Sequence, residues 1–314
     1  MMGISNMGTT AHSQAVDPDM MGTFSIIARD PATGEMGLGV QSKAFAGGNR
    51  VVTAKGGLGI VAHQAMSNPM FGTVGLELLE KGMSPKDALD YMVRADDGAL
   101  RRQVAILDIH GRFAAWSGPG CTDWKGHKCT SEYCVQGNTL FGPEVVEAMV
   151  SSIENSSGPL AERLLVALDA GQNAGGDWRG MQTAALVVVK PLGGASGFSD
   201  RAVDLRVDDH KTPLVELRRL LNIHRSNDLI RETNALLSES QLDAALAKAI
   251  DARNRSPEFD NVWVNLASVY VSMKRKQKAV EALQRAAELN PARKNYMPNH
   301  PMFEQLHLEM NISY

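Results

Sequence analysis

The chain has 314 residues, is 44% hydrophobic, and carries a formal net charge of −3 with a pI near 6.3, which leaves no basic footprint for nucleic acid or an anionic membrane surface. Its longest aliphatic run, AALVVV over 184–189, falls far short of the roughly 18 residues of a membrane-spanning helix. Residues 1–22 hold neither Lys nor Arg nor an apolar core and do not read as a secretory signal, so a cytoplasmic protein is expected.

From Thr23 the chain alternates strand blocks with helix blocks. TFSIIARD and EMGLGVQSK flank PATG, whose Pro and Gly suit a tight turn, and predict a hairpin. NRVVTAK and LGIVAHQA predict a second hairpin, rich in the Val, Ile and Gly of strands packed between layers. Two helices follow, one over about 73–81 and one opening at Ser84 as N-cap with Pro85 at the first helical position and Asp87 in the first turn. RQVAILDIHGRFAAWSG makes a third hairpin around His110-Gly111. GPEVVEAMVSSIE and GPLAERLLVALDAG each place Pro at the first helical position, with Leu160, Leu164, Leu165 and Leu168 on one face. MQTAALVVVK and RAVDLRVDD return to strand character. Helices segregated from strands in this order predict an α+β domain whose helices cover a mostly antiparallel sheet.

Past about residue 212 strand signals vanish and a 34-residue repeat appears. Trp263, Leu266, Ala267, Tyr270, Ala279, Leu283, Ala286 and Pro291 occupy the tetratricopeptide (TPR) signature positions. Leu229, Ala245, Ala249, Ala252 and Pro257 echo it 34 residues earlier. Small alanines let paired helices approach, and the proline closes the second helix. Two copies fall short of the roughly three that stand alone, so a further packing surface is expected: the first domain, a second copy of the chain, or a terminal helix over 300–310. Such repeats also suit a protein partner.

Cys121, Cys129 and Cys134, with His127 among them, follow C-x7-C-x4-C, which is no zinc spacing. An odd count in a cytoplasmic-looking chain argues against a disulfide framework, so reduced cysteines near a loop are expected, with no metal and no cofactor.

Thr23, directly after Gly22, has two readings. Threonine at a strand start is commonplace. At a free N-terminus, however, its α-amino group, with a pKa near ~7.7–8, would take the hydroxyl's proton without a histidine. Gly22 suits self-cleavage, since glycine tolerates the strained backbone of an attack on its carbonyl.

TFSIIARDPATGEMGLGVQSKAFAGG, AHQAMSNPMFG, VQGNTLFGPEVVEAM and AGGDWRGMQTAALVVV together resemble, in order, a bacterial family catalogued as domain of unknown function 1028 and assigned to the Ntn-hydrolase superfamily. The resemblance spans about residues 23–220. It implies a four-layer αββα sandwich with the nucleophile at the start of the first strand. Since 22 residues precede Thr23 here, where the family has its N-terminus, an extension over 1–22 removed between Gly22 and Thr23 is expected, while the repeat period places helical repeats over 221–314. The resemblance further implies hydrolysis of an amide bond in a small molecule or short peptide, with Thr23 as nucleophile. Separately, repeats in need of a packing partner make a homo-oligomer the expected state. Lys43 would lower the amine's pKa or be a solvated strand-end lysine. Gln64, Asn68, Gln136 and Asn138, read as following strand–loop boundaries, would donate to an oxyanion or cap turns. Asp177 would orient the amine and Arg179 bind a substrate carboxylate, or the two would form a structural pair. His63 and His127 are minor candidates, since a lone histidine is more often satisfied structure. The competing function is a non-catalytic member of the fold acting as an adaptor through its repeats.

Overall fold

The protein was analysed as a computed structural model that describes residues 22–194, 197–310 and 312. The expected N-terminal extension therefore lies, except for Gly22, outside the described residues. Contacts divide the chain between Leu214 and Val215.

The first unit opens with β1 (Thr23–Asp30) and β2 (Glu35–Ser42), joined by the predicted turn, where the Asp30 carboxylate accepts from the Ala32 amide (2.9 Å). β3 (Val52–Lys55) and β4 (Gly59–Ala65) form the second hairpin, followed by α1 (Met70–Glu80) and α2 (Pro85–Ala95). Ser84 caps α2 as expected, its hydroxyl accepting from the Asp87 amide (3.2 Å). β5 (Arg102–Asp108) and β6 (Phe113–Ser117) make the third hairpin. Next come β7 (Gly126–Cys129), β8 (Tyr133–Asn138), α3 (Glu144–Glu154), α4 (Leu160–Asn173), β9 (Thr183–Val189) and β10 (Arg201–Val207).

The strands form a six-stranded sheet, β10-β9-β2-β1-β8-β7, and a four-stranded sheet, β3-β4-β5-β6, antiparallel throughout. The sheets share one apolar core: Ile27, Leu38, Val40 and Val187 from the first meet Ile60, Ala62, Ala105 and Leu107 from the second. Phe71 and Leu79 of α1 and Leu89 and Met92 of α2 pack on Val61, Val104 and Ile106, covering the four-stranded sheet's other face. On the six-stranded sheet, α4 lies against β2 where side chains are missing. A Cβ on Gly37 would come within 2.6 Å of a Leu164 methyl, and one on Gly39 within 3.1 Å of Leu168. Alternation along β1 follows from this layering. Ile27 joins the inter-sheet core, whereas Phe24 reaches Gly171 of α4. Thr23 and Ser25 therefore share the inter-sheet face with Ile27.

The second unit begins in α5 (Pro213–Ser238) and continues through α6 (Leu242–Arg255), α7 (Asp260–Ser272), α8 (Lys276–Leu289), the short α9 (Arg293–Tyr296) and α10 (Glu304–Met310). The repeat alanines Ala245, Ala249, Ala252, Ala267, Ala279 and Ala286 are fully buried, and the Trp263 indole donates to the Pro257 carbonyl (2.8 Å). Of the surfaces expected to complete the repeats, the terminal segment is one: Met297, Phe303 and Leu306 close over Ala279, Leu283 and Ala286.

The structure corrects several local expectations. α1 starts at Met70, three residues before the expected start. The prolines heading α3 and α4 sit one residue earlier than expected, at the N-cap. The stretch around the cysteines, expected as loop, contains β7 and β8, whose register sets Cys129 directly opposite Cys134, and the two form a disulfide rather than free thiols. Gln64, Gln136 and Asn138 lie inside β4 and β8, not beyond their ends.

His63, a minor catalytic candidate, faces α1 instead, 2% exposed, with Nδ1 2.9 Å from the Ser67 hydroxyl. Burial holds its pKa down at about 4 against an ordinary 6.5. Below pH 6.5 the unfolded chain binds a proton that the folded chain does not accept until about pH 4. Stability is therefore lost as pH falls through that window, by up to about 3 kcal/mol. Urea midpoints recorded across the window should show this loss in the native chain and a slope shallower by about one proton in His63→Gln. In the second unit, Leu283→Ala should cost about 2–5 kcal/mol, read as a lowered urea midpoint of the helical circular-dichroism signal.

Candidate functional site

The residue expected as nucleophile begins β1 and is paired on both sides. Thr23 stands opposite Ser42 of β2 and Asn138 of β8, and Ser42 stands opposite Thr183 of β9. Antiparallel partners share a face, so four polar side chains cross the sheet in one row, each no more than 6% exposed. The Thr23 hydroxyl donates to the Gly22 carbonyl oxygen (2.5 Å) and lies 2.9 Å from the Ser42 hydroxyl, which donates to that same oxygen. Each hydroxyl has a single proton, so both directed at the Gly22 oxygen leave none between them.

Gly22 is buried and has no room for a side chain. A Cβ there would lie 2.1 Å from Arg179 Nη2 and 2.4 Å from Asp177 Oδ2. Neither group can easily yield: Arg179 donates through Nε to Asp177 Oδ1 (3.0 Å) and through Nη2 to Oδ2 (2.7 Å), with side chains 5% and 0% exposed. Close approach is thus a reason for a glycine here beside the conformational tolerance expected from the sequence. The loop bearing the pair is tied to the end of β8 by the Leu140–Asp177 bridge and by the Trp178 amide, which donates to the Thr139 carbonyl (3.1 Å).

Beneath Thr23 lies a layer of neutral amides. Gln64 accepts from the Ser25 hydroxyl (2.6 Å) and donates to the Thr23 carbonyl (3.1 Å) and to Gln103 Oε1 (2.8 Å). Both of its amide protons are thus committed. Asn138 donates to the same Gln103 oxygen (2.9 Å), which leaves its second N–H uncommitted among the described residues. Gln103 Nε2 faces the Ser117 hydroxyl and the Gly137 carbonyl (both 2.8 Å) and the Gly126 carbonyl (3.1 Å). Gln136 reaches Ser25 only at 3.4 Å, and its buried Oε1 has no partner among the described residues. On the helix-facing side of β2, Gln41 is fully buried with both amide atoms unpartnered.

The structure thus gathers Thr23, Gln64, Gln136 and Asn138 at one end of β1 and sets Asp177 and Arg179 against Gly22. Asn68 is engaged elsewhere: its Oδ1 accepts from the Met70 amide at the start of α1 (3.1 Å), and its Nδ2 donates toward Asp96 (3.4 Å). That is the capping role, not an oxyanion contact. Lys43 directly follows Ser42 and makes no hydrogen bond or ion pair among the described residues; it lines a cavity with Phe45 and Arg50. Ser42 and Gln103 escaped the sequence reading. The one signal for Gln103 was an amide within RQVAIL, and Ser42 was masked by the lysine beside it. The sulfurs of Cys129 and Cys134 are bonded to each other, Cys121 is buried, and the described residues hold no group of three His, Cys, Asp or Glu able to bind a metal. No helix among them is long and apolar enough to cross a membrane.

A tetratricopeptide repeat model matches residues 260–293, which span α7 and α8. No curated protein matches the chain. Among solved structures, the crystal structure of protein SPO2555 from Silicibacter pomeroyi, itself a carrier of the DUF1028 family model, is similar at 32% identity with a TM-score of 0.59. The match covers 64% of this chain and 84% of that one. The model of the family of unknown function DUF1028 matches residues 23–217, starting on Thr23 itself, and the chain belongs to that family.

Proposed function

We propose that the chain is an Ntn-type amidohydrolase whose nucleophile, Thr23, is freed by cleavage after Gly22. One observation carries the reading: the Thr23 hydroxyl lies against the carbonyl of a glycine wedged between two hydroxyls and a buried ion pair, where no side chain fits. The helices that pack outside two antiparallel sheets support the αββα sandwich that the superfamily resemblance implies. In the cleavage, Thr23 Oγ bonds to the Gly22 carbonyl carbon, the carbon–nitrogen bond breaks, and the hydroxyl's proton ends on the departing Thr23 nitrogen. Water then hydrolyses the ester, restoring the hydroxyl and leaving Gly22 as a carboxylate.

The freed amine is the base for turnover, with a pKa near ~7.7–8. It takes the hydroxyl's proton as Oγ attacks a substrate amide and returns it to the leaving nitrogen. The uncommitted Asn138 N–H, opposite Thr23, is the best-placed neutral donor for the oxyanion; Gln64, fully engaged, holds the Thr23 backbone instead. For the tetratricopeptide unit we propose a protein partner, as such helix pairs form binding surfaces. The disulfide favours an oxidising compartment over the expected cytoplasm.

Mass spectrometry of the purified chain should record loss of residues 1–22 in step with the appearance of amidase activity. Thr23→Ala should abolish the activity, and abolish the mass loss where cleavage is autocatalytic; full activity in an uncut chain would replace this reading with the adaptor. Gly22→Val should halt cleavage for lack of room. Ser42→Ala should slow cleavage by about 10²-fold, the usual effect of removing one hydrogen bond from a developing oxyanion, with the fold unchanged by circular dichroism.

A further inference from the structure

We propose that the cavity beginning one residue beyond Ser42 is a subsite for a carboxylate, so that the preferred substrate is an amide whose acyl part carries a second, anionic end; this rests on the nucleophile reading above. The cavity, about 530 Å3, is lined by residues 43–46 with Asn49, Arg50 and Gln182. Between the lining residues Ala46 and Asn49, the chain packs at Gly47 against the row that contains Thr23. A Cβ on Gly47 would lie 2.8 Å from the Thr183 methyl and 3.4 Å from Ser42 Cβ. From the opposite wall, the Gln182 amide donates to the Ser42 carbonyl (3.1 Å). The cavity is therefore built on the two neighbours that follow Thr23 in its row.

Its charge is one-sided. Lys43 is half-buried and has no ion pair or hydrogen bond among the described residues. Arg50 is exposed, and among the described residues its guanidinium donates only to the Phe45 carbonyl (2.7 Å), which leaves the rest of it open. No acid lines the cavity; Asp209 accepts from the lining Gln182 Nε2 (3.1 Å). Two cations over one cavity without a counter-charge suit a carboxylate, which a guanidinium binds through two parallel N–H groups. Phe45, 65% exposed at the same wall, offers an apolar face to the methylenes between the ligand's two ends.

The test is calorimetric titration of the full-length Thr23→Ala chain with glutarate and with its neutral diamide, glutaramide. Glutarate should bind and glutaramide bind at least roughly tenfold more weakly, the scale of one charge-assisted hydrogen bond. Added salt should weaken the glutarate. Arg50→Gln and, independently, Lys43→Gln should each lose roughly tenfold in glutarate affinity, while Arg50→Lys keeps most of it. Equal affinity for the diamide, no saturable binding, or unchanged affinity in both Gln variants overturns the proposal. Because the titrated chain has no nucleophile, failure here leaves the role of Thr23 intact, and loss of that role leaves the binding result intact.

Discussion

The candidate site depends on β1 being hydrogen-bonded along both edges from its first residue. A strand start normally frays, and a side chain there samples several positions. Pairing with β2 and β8 removes that freedom and sets Ser42 on one side of Thr23 and Asn138 on the other. Sliding either register by one residue would turn the partner to the opposite face and dissolve the row. The glycines of β2 serve the same end by drawing α4 close against the sheet, so that β1 and β2 are held between a helix and the inter-sheet core.

Polarity around Thr23 is arranged without charge. The amides of Gln64, Gln103 and Asn138 are at most 1% exposed and bond to one another, as buried polar groups must, with only the second Asn138 N–H left over among the described residues. Charge is confined to the other side, where Asp177 and Arg179 neutralise each other against Gly22. A buried pair of this kind adds little net stability but is costly to break, and it makes a rigid wall. Gln41 differs: among the described residues both of its amide atoms are buried and unpartnered, and a bound water there would be stabilising.

What could be read from the sequence was what local rules decide. PATG and His110-Gly111 mark their turns through backbone preference, Ser84 caps its helix, and the repeat alanines declare a helix pair by their spacing. Thr23 and the family blocks were visible, and with them most of the site's members. Hidden were the features set by register between distant strands. The Cys129–Cys134 bond follows from the pairing of β7 with β8, which a cysteine count cannot supply. Ser42 contacts Thr23 only because β2 pairs with β1 in one register. Asn68 and Gln64 looked alike in HQAMSN, yet the chain turns between them and sends one to a helix start and the other into the sheet.

The strand order also governs when the site can exist during synthesis. β1 and β2 meet as a hairpin as soon as residue 42 is made, but Ser25 must wait for Gln136, 111 residues later, and β2 for β9 at residue 183. Until then β1 and β2 have open edges, and the row through Thr23 is a fragment. The helical unit is built the other way, from neighbours that pair in the order they appear, and so forms quickly once made. Since domains tend to fold in turn from the N-terminus, the slow, long-range sheet can close while the repeats behind it are still being made. A chain order with the repeats first would remove that interval.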